Sequence, residues 1–449
     1  MHYLDWLAIG GYIILLLWLG FYKSSKKGDE KDFILAGRKL SLPGFVVTLV
    51  ATWYGGILGV GENTYNFGIQ TWFIFALPYY VFGLLFAIYL APRIRNVPHL
   101  SIPDHFRNHY GQGAGIISAL FILFLASPAP YILSLGILLH FTLGWSLQFS
   151  ILFSTIISLI YIWFGGFRSV VRTDILQFGL MFAGFSFLLF FAWNVHGSPI
   201  SIWTSLPDSH RNPTGGNSLQ YILVWFFIAL WTFIDPGFYQ RTAAAASQKI
   251  ARAGIIISIC FWFIFDALTI TTGLYAASMT ITKNAPMAYP VLASSLLPPF
   301  IYGIFLAGLL STIMSTIDSN GLISAITFGR DILWRIQDKK VGSVEYIRKG
   351  LVVMAFIAVM LALSIPSVVK LWYVIGSIIV PGILIPFLIT FSKISIPENK
   401  IILAMVLPVL TAGIWFLYSR ISGHYPGGLE PFYPGLLVSL LIIIISVRK

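Results

Sequence analysis

The stretch LVATWYGGILGVGENTYNFG, residues 49 to 68, lies in an apolar segment but is rich in glycine. Glycine is about 1 kcal/mol less favourable than alanine in a helix interior. A helix that crosses a membrane here is therefore predicted to be unwound near its centre or tightly packed against a neighbour. The glycines concerned are Gly55, Gly56, Gly59 and Gly61.

A second apolar segment ends in WTFIDPGFYQR, residues 231 to 241. Asp235, Pro236 and Gly237 cannot continue a regular helix, because proline lacks the backbone N–H and clashes with the preceding turn. Interrupted hydrophobic segments at corresponding places in two halves of a chain indicate a transporter site near the middle of the bilayer. We therefore predict two five-helix repeats of opposite topology, about 42–194 and 218–391.

The composition is that of a membrane protein. Of the 449 residues, 57% are hydrophobic and 10% are charged, against about 25% charged in a soluble domain. The net charge of +12 resides in short basic clusters between apolar segments, which is not the pattern of a nucleic-acid surface. The single cysteine, Cys260, excludes a disulfide framework and a cysteine metal site.

Apolar segments long enough to cross about 30 Å of hydrocarbon predict an all-α, polytopic fold of about thirteen transmembrane helices. The first segment is read as a retained helix, so no cleaved signal peptide is expected. The chain, 1–449, is read as one transport domain, with two additional helices at about 400–447 after the repeats. The predicted spans are 3–22, 42–67, 71–92, 113–136, 147–165, 173–194, 218–239, 251–276, 298–328, 350–365, 370–391, 400–419 and 431–447.

Basic residues predict the orientation of the chain. With the N-terminus outside, 24 of the 28 lysines and arginines fall in cytoplasmic segments. The other four lie one in each of four external loops: Arg211, Lys283, Lys370 and Arg420. This asymmetry follows the positive-inside rule and predicts a cytoplasmic C-terminus in a multi-pass protein of the cell (inner) membrane.

Residues 309 to 321, LLSTIMSTIDSNG, form a polar run inside a predicted span. Thr312, Ser315, Thr316 and Ser319 have the spacing of one helix face, which we call the polar stripe. Hydroxyl and carbonyl oxygens suit a small hard cation that must be released again. The opposing interpretation is that these hydroxyls bond to their own helix carbonyls or to a neighbouring helix.

Four carboxylates in predicted spans allow more than one role. Glu62 either has a functional role or faces a water-filled vestibule, and Asp235 is favoured as the cap of the helix after Pro236. Asp266 either pairs with a hydroxyl such as that of Thr269 or relays protons. Asp318 lies beside the polar stripe, where it would alter ion selectivity or protonation coupling.

A separate pair, His105 and His109, has the i, i+4 spacing of metal ligands. It lies in a basic loop without the glutamate of a zinc protease helix, so a surface helix is favoured.

Three stretches together resemble the solute:sodium symporter family: YIWFGGFRSVVRTDILQ at 161–177, DPGFYQRTAAAASQKIARAG at 235–254 and LAGLLSTIMSTIDS at 306–319. ATWYGG at 51–56 and LSIPDHFRNHYG at 100–111 support the resemblance, which runs from about residue 3 to 420. It implies a LeuT-type inverted-repeat fold and sodium-driven uptake by alternating access.

Position by position, the resemblance implies a sodium site made by the carbonyls of Trp53, Gly56 and Thr312 and the hydroxyls of Ser315 and Thr316, with Asp174 nearby. A shift of one residue would exchange Trp53 for Thr52 or Tyr54. The implied solute site is lined by Gly59, Val60, Trp231, Thr232 and Ser319. Val60 stands where sugar-transporting members carry a glutamine, so an amino acid or short carboxylate is favoured over a sugar.

The predicted function is a sodium-coupled secondary active symporter of a small polar organic solute, with no enzymatic activity and Na⁺ as the bound ion. The alternatives are a proton-coupled transporter of the same fold, using Asp174, Asp266 or Asp318, and a transporter-like solute sensor.

Overall fold

The computed structural model describes residues 1–22, 29–160, 162–337 and 342–447. Within these ranges the chain is helical and contains no β-strand, although Leu40 and Ala245 form an isolated parallel bridge. The remaining residues, 23–28, 161, 338–341 and 448–449, include part of the basic clusters on which the predicted orientation depends.

The described residues contain ten helical segments long and apolar enough to cross a membrane. The polytopic, all-α prediction agrees with this result. The segments are Tyr3–Phe21, Gln70–Asn96, Gln112–Leu143, Ile162–His196, Leu219–Ala244, Gln248–Ser278, Ile301–Trp334, Ser343–Ser364, Val368–Ile389 and Glu398–Ser422.

The other three predicted spans correspond to shorter apolar helices. Leu147–Leu159 and Phe432–Ser446 are single helices. The glycine-rich span is divided into Leu42–Ala51 and Ile57–Phe67, with residues 52–56 outside any helix. The glycines therefore mark an interruption of this helix.

The second interruption lies around Asp235. A 3₁₀ segment, Ala229–Ile234, ends at Asp235, whose extended backbone caps the helix Pro236–Ala244. A third interruption differs from the sequence prediction, which treated 113–136 as continuous. The helix Gln112–Leu125 ends there and Ala129–Leu143 begins, because Pro128 and Pro130 provide no backbone N–H to continue the first helix.

We label the helices that form the central site in chain order. The helix Ile301–Ile326 is buried over most of its length, and the helix Ile162–His196 packs along it. The interrupted segments lie against these two helices, so the site is formed in the middle of the bundle. The labels are α1 Leu42–Ala51, α2 Ile57–Phe67, α3 Ile162–His196, α4 Pro236–Ala244, α5 Gln248–Ser278, α6 Ile301–Ile326 and α7 Val368–Ile389.

At the end of the bundle where α1 begins and α4 ends, the chain before α1 packs on the chain after α4. The Leu40 amide donates to the Ala244 carbonyl at 3.0 Å, and the Ala246 amide donates to the Leu40 carbonyl at 3.0 Å. The Gln240 side chain also donates to the Ile34 carbonyl at 3.0 Å. These contacts close this end of the bundle beneath the interrupted helices.

Candidate functional site

A central cavity of about 120 Å³ lies between the two interrupted segments. Its wall is formed by residues 49–60 and 225–241, by side chains from 75–79 and 125–131, and by parts of α5, α6 and α7. Nine of the 22 lining residues are aromatic, and the polar ones include Asp235, Asp266 and Arg241. The aromatic members are Trp53, Tyr54, Phe75, Tyr79, Tyr131, Trp225, Trp231, Phe238 and Trp372.

The polar stripe on α6 is buried, and its hydroxyls have different partners. Thr312 donates to its own helix, to the Gly308 carbonyl at 2.7 Å. Ser315 donates to Oδ1 of Asp174 at 2.6 Å, and Thr316 donates to the Thr52 carbonyl at 3.0 Å. Two of the predicted sodium residues therefore contact other helices, where their oxygens meet a carboxylate and an unwound backbone.

The unwound backbone contacts the stripe through Thr52 and Gly55. A Cβ atom at Gly55 would lie 2.6 Å from Oγ1 of Thr316, so a larger residue would push the two segments apart. Among the backbone ligands implied by the resemblance, the Gly56 carbonyl has a different orientation. Its carbonyl accepts from the amides of Gly59 at 2.8 Å and Val60 at 3.1 Å, so it points along α2.

The Trp53 side chain packs away from the polar stripe. Its ring lies 5.0 Å from that of Tyr79 and 4.9 Å from that of Trp262, and it lines the cavity. The carbonyl that contacts the stripe is that of Thr52, the residue which a one-residue shift in the alignment would select.

Asp174 on α3 lies at the centre of a buried hydrogen-bond network. Thr48 donates to Oδ2 of Asp174 and accepts from Nη2 of Arg241 at 3.1 Å. The same guanidinium nitrogen donates to the Ser319 hydroxyl at 2.8 Å. The network joins α1, α3, α4 and α6, and Arg241 connects it to the cavity wall.

Four of the five predicted solute residues line the cavity: Val60, Trp231, Thr232 and Ser319. Gly59 does not, because it faces α7, where an added Cβ atom would lie 3.3 Å from side-chain atoms of Val368 and Val369. Sequence reasoning missed Tyr79, Tyr131 and Trp372. Aromatic residues are common throughout membrane spans, so their presence alone does not reveal which ones face a cavity.

The intramembrane carboxylates differ in their surroundings. Asp235 accepts from the Phe238 amide at 2.8 Å, as a helix cap does. Asp266 accepts from the Tyr80 hydroxyl, whereas the Thr269 hydroxyl bonds to the Phe265 carbonyl at 2.9 Å. Glu62 is half-buried, and Asp318 is fully buried beside the polar stripe.

A second charged cluster lies outside the predicted spans. Arg330, 4% exposed, forms ion pairs with Glu30 at 2.5 Å, Asp104 at 2.8 Å and Asp331 at 2.5 Å. Burial acts against ionisation of Asp104, but Arg330 and Arg335 hold its pKa below the ordinary value. The cluster ties the chain before α1 to the helix Ile102–Tyr110 and to the end of the α6 segment.

The two histidines of Ile102–Tyr110 have different surroundings. Among the described residues, no group of three histidine, cysteine, aspartate or glutamate side chains has metal-binding geometry. The preference for a surface helix was wrong for His105, which is buried. Its ring stacks 4.7 Å from that of Phe391, and its Nε2 lies 2.7 Å from the Thr390 hydroxyl.

A helical membrane bundle with interrupted helices around a polar and aromatic cavity defines a membrane transport protein. The family model described as "Sodium:solute symporter family" matches residues 33–396. The chain belongs to the sodium:solute symporter family.

Two curated relatives are similar along most of this chain. The high-affinity choline transporter 1 of Drosophila melanogaster is 28% identical, over 80% of this chain and 62% of its own length. The chain thus spans less than two thirds of that transporter. The osmoregulated proline transporter OpuE of Bacillus subtilis (strain 168) is 26% identical, over 97% of this chain and 94% of its own.

The fold is also found in solved structures. A Na⁺-coupled sialic acid symporter in a substrate-bound, outward-open state superposes with a TM-score of 0.82 at 17% identity, covering 99% of this chain and 97% of that one. The inward-facing conformation of Mhp1 has a TM-score of 0.57 at 14% identity, covering 91% and 90%. The family and these neighbours are transporters rather than enzymes.

Proposed function

We propose that this protein is a sodium-coupled symporter that imports a small solute carrying a positively charged nitrogen, such as an amino acid or a related amine. The observation that carries the proposal is the contact between the polar stripe and the unwound backbone at the cavity wall. Thr316 bonds to the free end of α1 at Thr52, and Ser315 bonds to Asp174. This is the arrangement in which several oxygens surround a small cation.

The proposed sodium site lies between α1, α3 and α6. The Ser315 and Thr316 hydroxyls and the carbonyls of residues 52–53 and Thr312 supply its oxygens, with Asp174 as the nearby negative charge. Ser315 and Thr316 use their protons in hydrogen bonds, which leaves their lone pairs available to a cation. In this proposal Gly56 is not a carbonyl ligand. Its lack of a side chain lets the Trp372 ring pack directly against the backbone.

The proposed solute site is the central cavity. Aromatic faces attract cationic nitrogen, and nine aromatic residues line the wall. The curated choline and proline transporters among the relatives also have names that specify solutes with a charged nitrogen. A compact amino acid or amine therefore fits this cavity better than a sugar, in agreement with the absence of a glutamine at Val60.

The membrane arrangement we propose has thirteen spans, with the N-terminus outside. The thirteen are the ten long segments and the three shorter apolar helices. In this arrangement α1 begins the first inverted repeat, and the segment 219–244 begins the second. Transport then proceeds by alternating access, and inward movement of each unit charge gains about 2.3 kcal/mol per 100 mV.

The test is uptake into proteoliposomes by a Ser315→Ala, Thr316→Ala double variant, with proline and choline as probe solutes. We expect sodium-stimulated uptake to be abolished. The matched control is Thr327→Val, which removes a buried hydroxyl that bonds only to its own helix, at the Ile323 carbonyl. Sodium dependence that is unchanged in the double variant would overturn the site.

A proton-coupled mechanism is the second candidate, because Asp174 and Asp266 are buried carboxylates near the cavity. Uptake driven by a sodium gradient alone, compared with a proton gradient alone, separates the two mechanisms.

A further inference from the structure

Asp266 lies in the middle of α5, a helix that sequence reasoning did not assign to the solute site. The carboxylate is 5% exposed and lines the central cavity. Among the described residues, no lysine, arginine or histidine nitrogen lies within the 4.0 Å of an ion pair with it. Asp266 is therefore a cavity carboxylate without a cationic partner in the part of the chain that the structure describes.

The hydrogen bonds of Asp266 come from neutral groups. The Tyr80 hydroxyl donates to Oδ2, and Tyr54, whose hydroxyl donates to the Trp262 carbonyl at 3.1 Å, lies alongside. Burying a carboxylate without a counter-charge is costly in a protein interior and more so at membrane depth. A positively charged ligand group beside Asp266 would remove much of this cost.

Two aromatic residues of the cavity wall, Trp53 and Tyr54, pack on rings of the α5 turn that precedes Asp266. Trp262 lies one turn before Asp266 on α5 and stacks on Trp53 at 4.9 Å. The Tyr54 ring meets that of Phe265 at 4.5 Å. Aromatic faces next to a carboxylate favour a cationic nitrogen, because the ring quadrupole and the negative charge attract the same group.

Asp235, the other carboxylate of the cavity, has a different task. One of its oxygens accepts from the Phe238 amide at 2.8 Å and caps α4. The charge of Asp235 is thus used at a helix N-terminus, where it interacts favourably with the helix dipole. Asp266 has no such backbone partner among the hydrogen bonds of the described residues.

We infer that Asp266 is the counter-charge for the positively charged nitrogen of the solute, and that it makes the site select this nitrogen over an uncharged group of the same shape. The inference rests on the proposed function and deepens it. It assigns the selectivity to a single carboxylate on α5, whereas the proposed sodium site lies between α1, α3 and α6.

The experiment compares probe pairs that differ only in the charged nitrogen. One pair is choline and its carbon analogue, in which carbon replaces nitrogen. The other is proline and cyclopentanecarboxylate. Binding to the purified full chain in sodium is measured by thermal stabilisation, which rises with ligand affinity by mass action. In the unaltered protein, we expect one charged member to bind at least about tenfold more tightly than its analogue, a 1.4 kcal/mol preference.

In Asp266→Asn, we expect this preference to fall at least about tenfold while the analogue binds as before. The matched control is Asp208→Asn, which changes an exposed carboxylate paired with Arg211 outside the cavity and is expected to keep the preference. Stabilisation by sodium alone, unchanged in Asp266→Asn, shows that the variant is folded.

Three outcomes would overturn the inference. A preference retained in Asp266→Asn removes the carboxylate from solute recognition. An equal loss of affinity for both members of a pair in Asp266→Asn means that Asp266 supports the packing of the site and does not recognise the charge. If neither charged member binds the unaltered protein, the proposed solute class fails, and the role of Asp266 fails with it.

Discussion

The hydroxyl of Ser315 donates a 2.6 Å hydrogen bond to Oδ1 of Asp174, and both side chains are fully buried. The bond joins α6, which carries the polar stripe, to α3. A hydroxyl that gives its proton to a carboxylate presents its lone pairs elsewhere, so Asp174 orients the Ser315 oxygen for the ligand role we propose. Asp174 thereby acts on the proposed ion site through its neighbour as well as through its charge.

Asp174→Asn is expected to raise the sodium concentration for half-maximal uptake by about tenfold or more, equivalent to about 1.4 kcal/mol. The amide removes the negative charge and presents a donor to Thr48 or Ser315, both of which donate to the carboxylate. The measurement is uptake against sodium concentration in proteoliposomes. Thr173→Val is the control, since Thr173 bonds to the Val170 carbonyl of its own helix at 2.9 Å. Equal sodium affinity in Asp174→Asn and the control would contradict this role.

Gly56→Ala is expected to abolish transport. A Cβ atom at this position would overlap the Trp372 indole, which fills the space beside the unwound backbone. Forcing extra atoms into a packed site typically costs about 1–3 kcal/mol. Uptake and thermal stability report the effect, and Gly179→Ala is the control, because nothing lies within 4 Å of a Cβ atom there. In a Gly56→Ala, Trp372→Leu double variant, the smaller leucine side chain leaves room for the added methyl group, so part of the stability should return. If stability does not recover, the overlap with Trp372 is not the cause of the loss.

Glu30→Gln is expected to open the closed end of the bundle more often. The substitution removes one of the three carboxylates paired with the buried Arg330. A cysteine at Asn320, which lines the cavity, should then react several-fold faster with a polar thiol reagent from the predicted cytoplasmic side. The exposed Cys260 is replaced by serine in this background. Glu345→Gln, in an exposed pair with Lys349 at 4.0 Å, is the control and should leave the rate unchanged.

His105 predicts a pH dependence of stability. Burial lowers the pKa of His105 from 6.5 to about 3, so the folded protein keeps it neutral while the unfolded chain binds a proton below pH 6.5. Stability from this group is therefore present above pH 6.5 and falls as the pH is lowered towards 3. The slope is at most about 1.4 kcal/mol per pH unit. Thermal unfolding between pH 7 and pH 5 should depend less on pH in His105→Phe than in the control His424→Gln.

Sequence reasoning was accurate where a local rule decides the structure. Proline and clustered glycine disfavour a regular helix, and the breaks at 52–56 and at Asp235 lie at such residues. The rule is not absolute, since Pro381 and Pro386 lie inside the continuous helix α7. The helical spacing of Thr312, Ser315 and Thr316 likewise placed a buried polar face on α6. The capping role favoured for Asp235 is found in its bond to Phe238.

Features that depend on packing between distant segments were out of reach. Arg241 contacts Thr48 and Ser319 only because α4 packs on α1 and α6, and no spacing along the chain expresses this. The cavity-facing side of Trp372 depends on the rotation of α7 against the unwound backbone. A one-residue uncertainty in an unwound segment, where helical periodicity is lost, also explains why Thr52 rather than Trp53 meets the polar stripe.

The pairing of Leu40 with Ala244 and Ala246 has a consequence for mutational tolerance. Its two bonds are made by main-chain atoms, so substituting a side chain does not remove them. Only proline, which lacks the N–H, deletes a donor there. We therefore expect Leu40 and Ala246 to tolerate most substitutions that fit the available space. Leu40→Pro and Ala246→Pro should not be tolerated. The barrier to opening this end of the protein is in part independent of which amino acids occupy it.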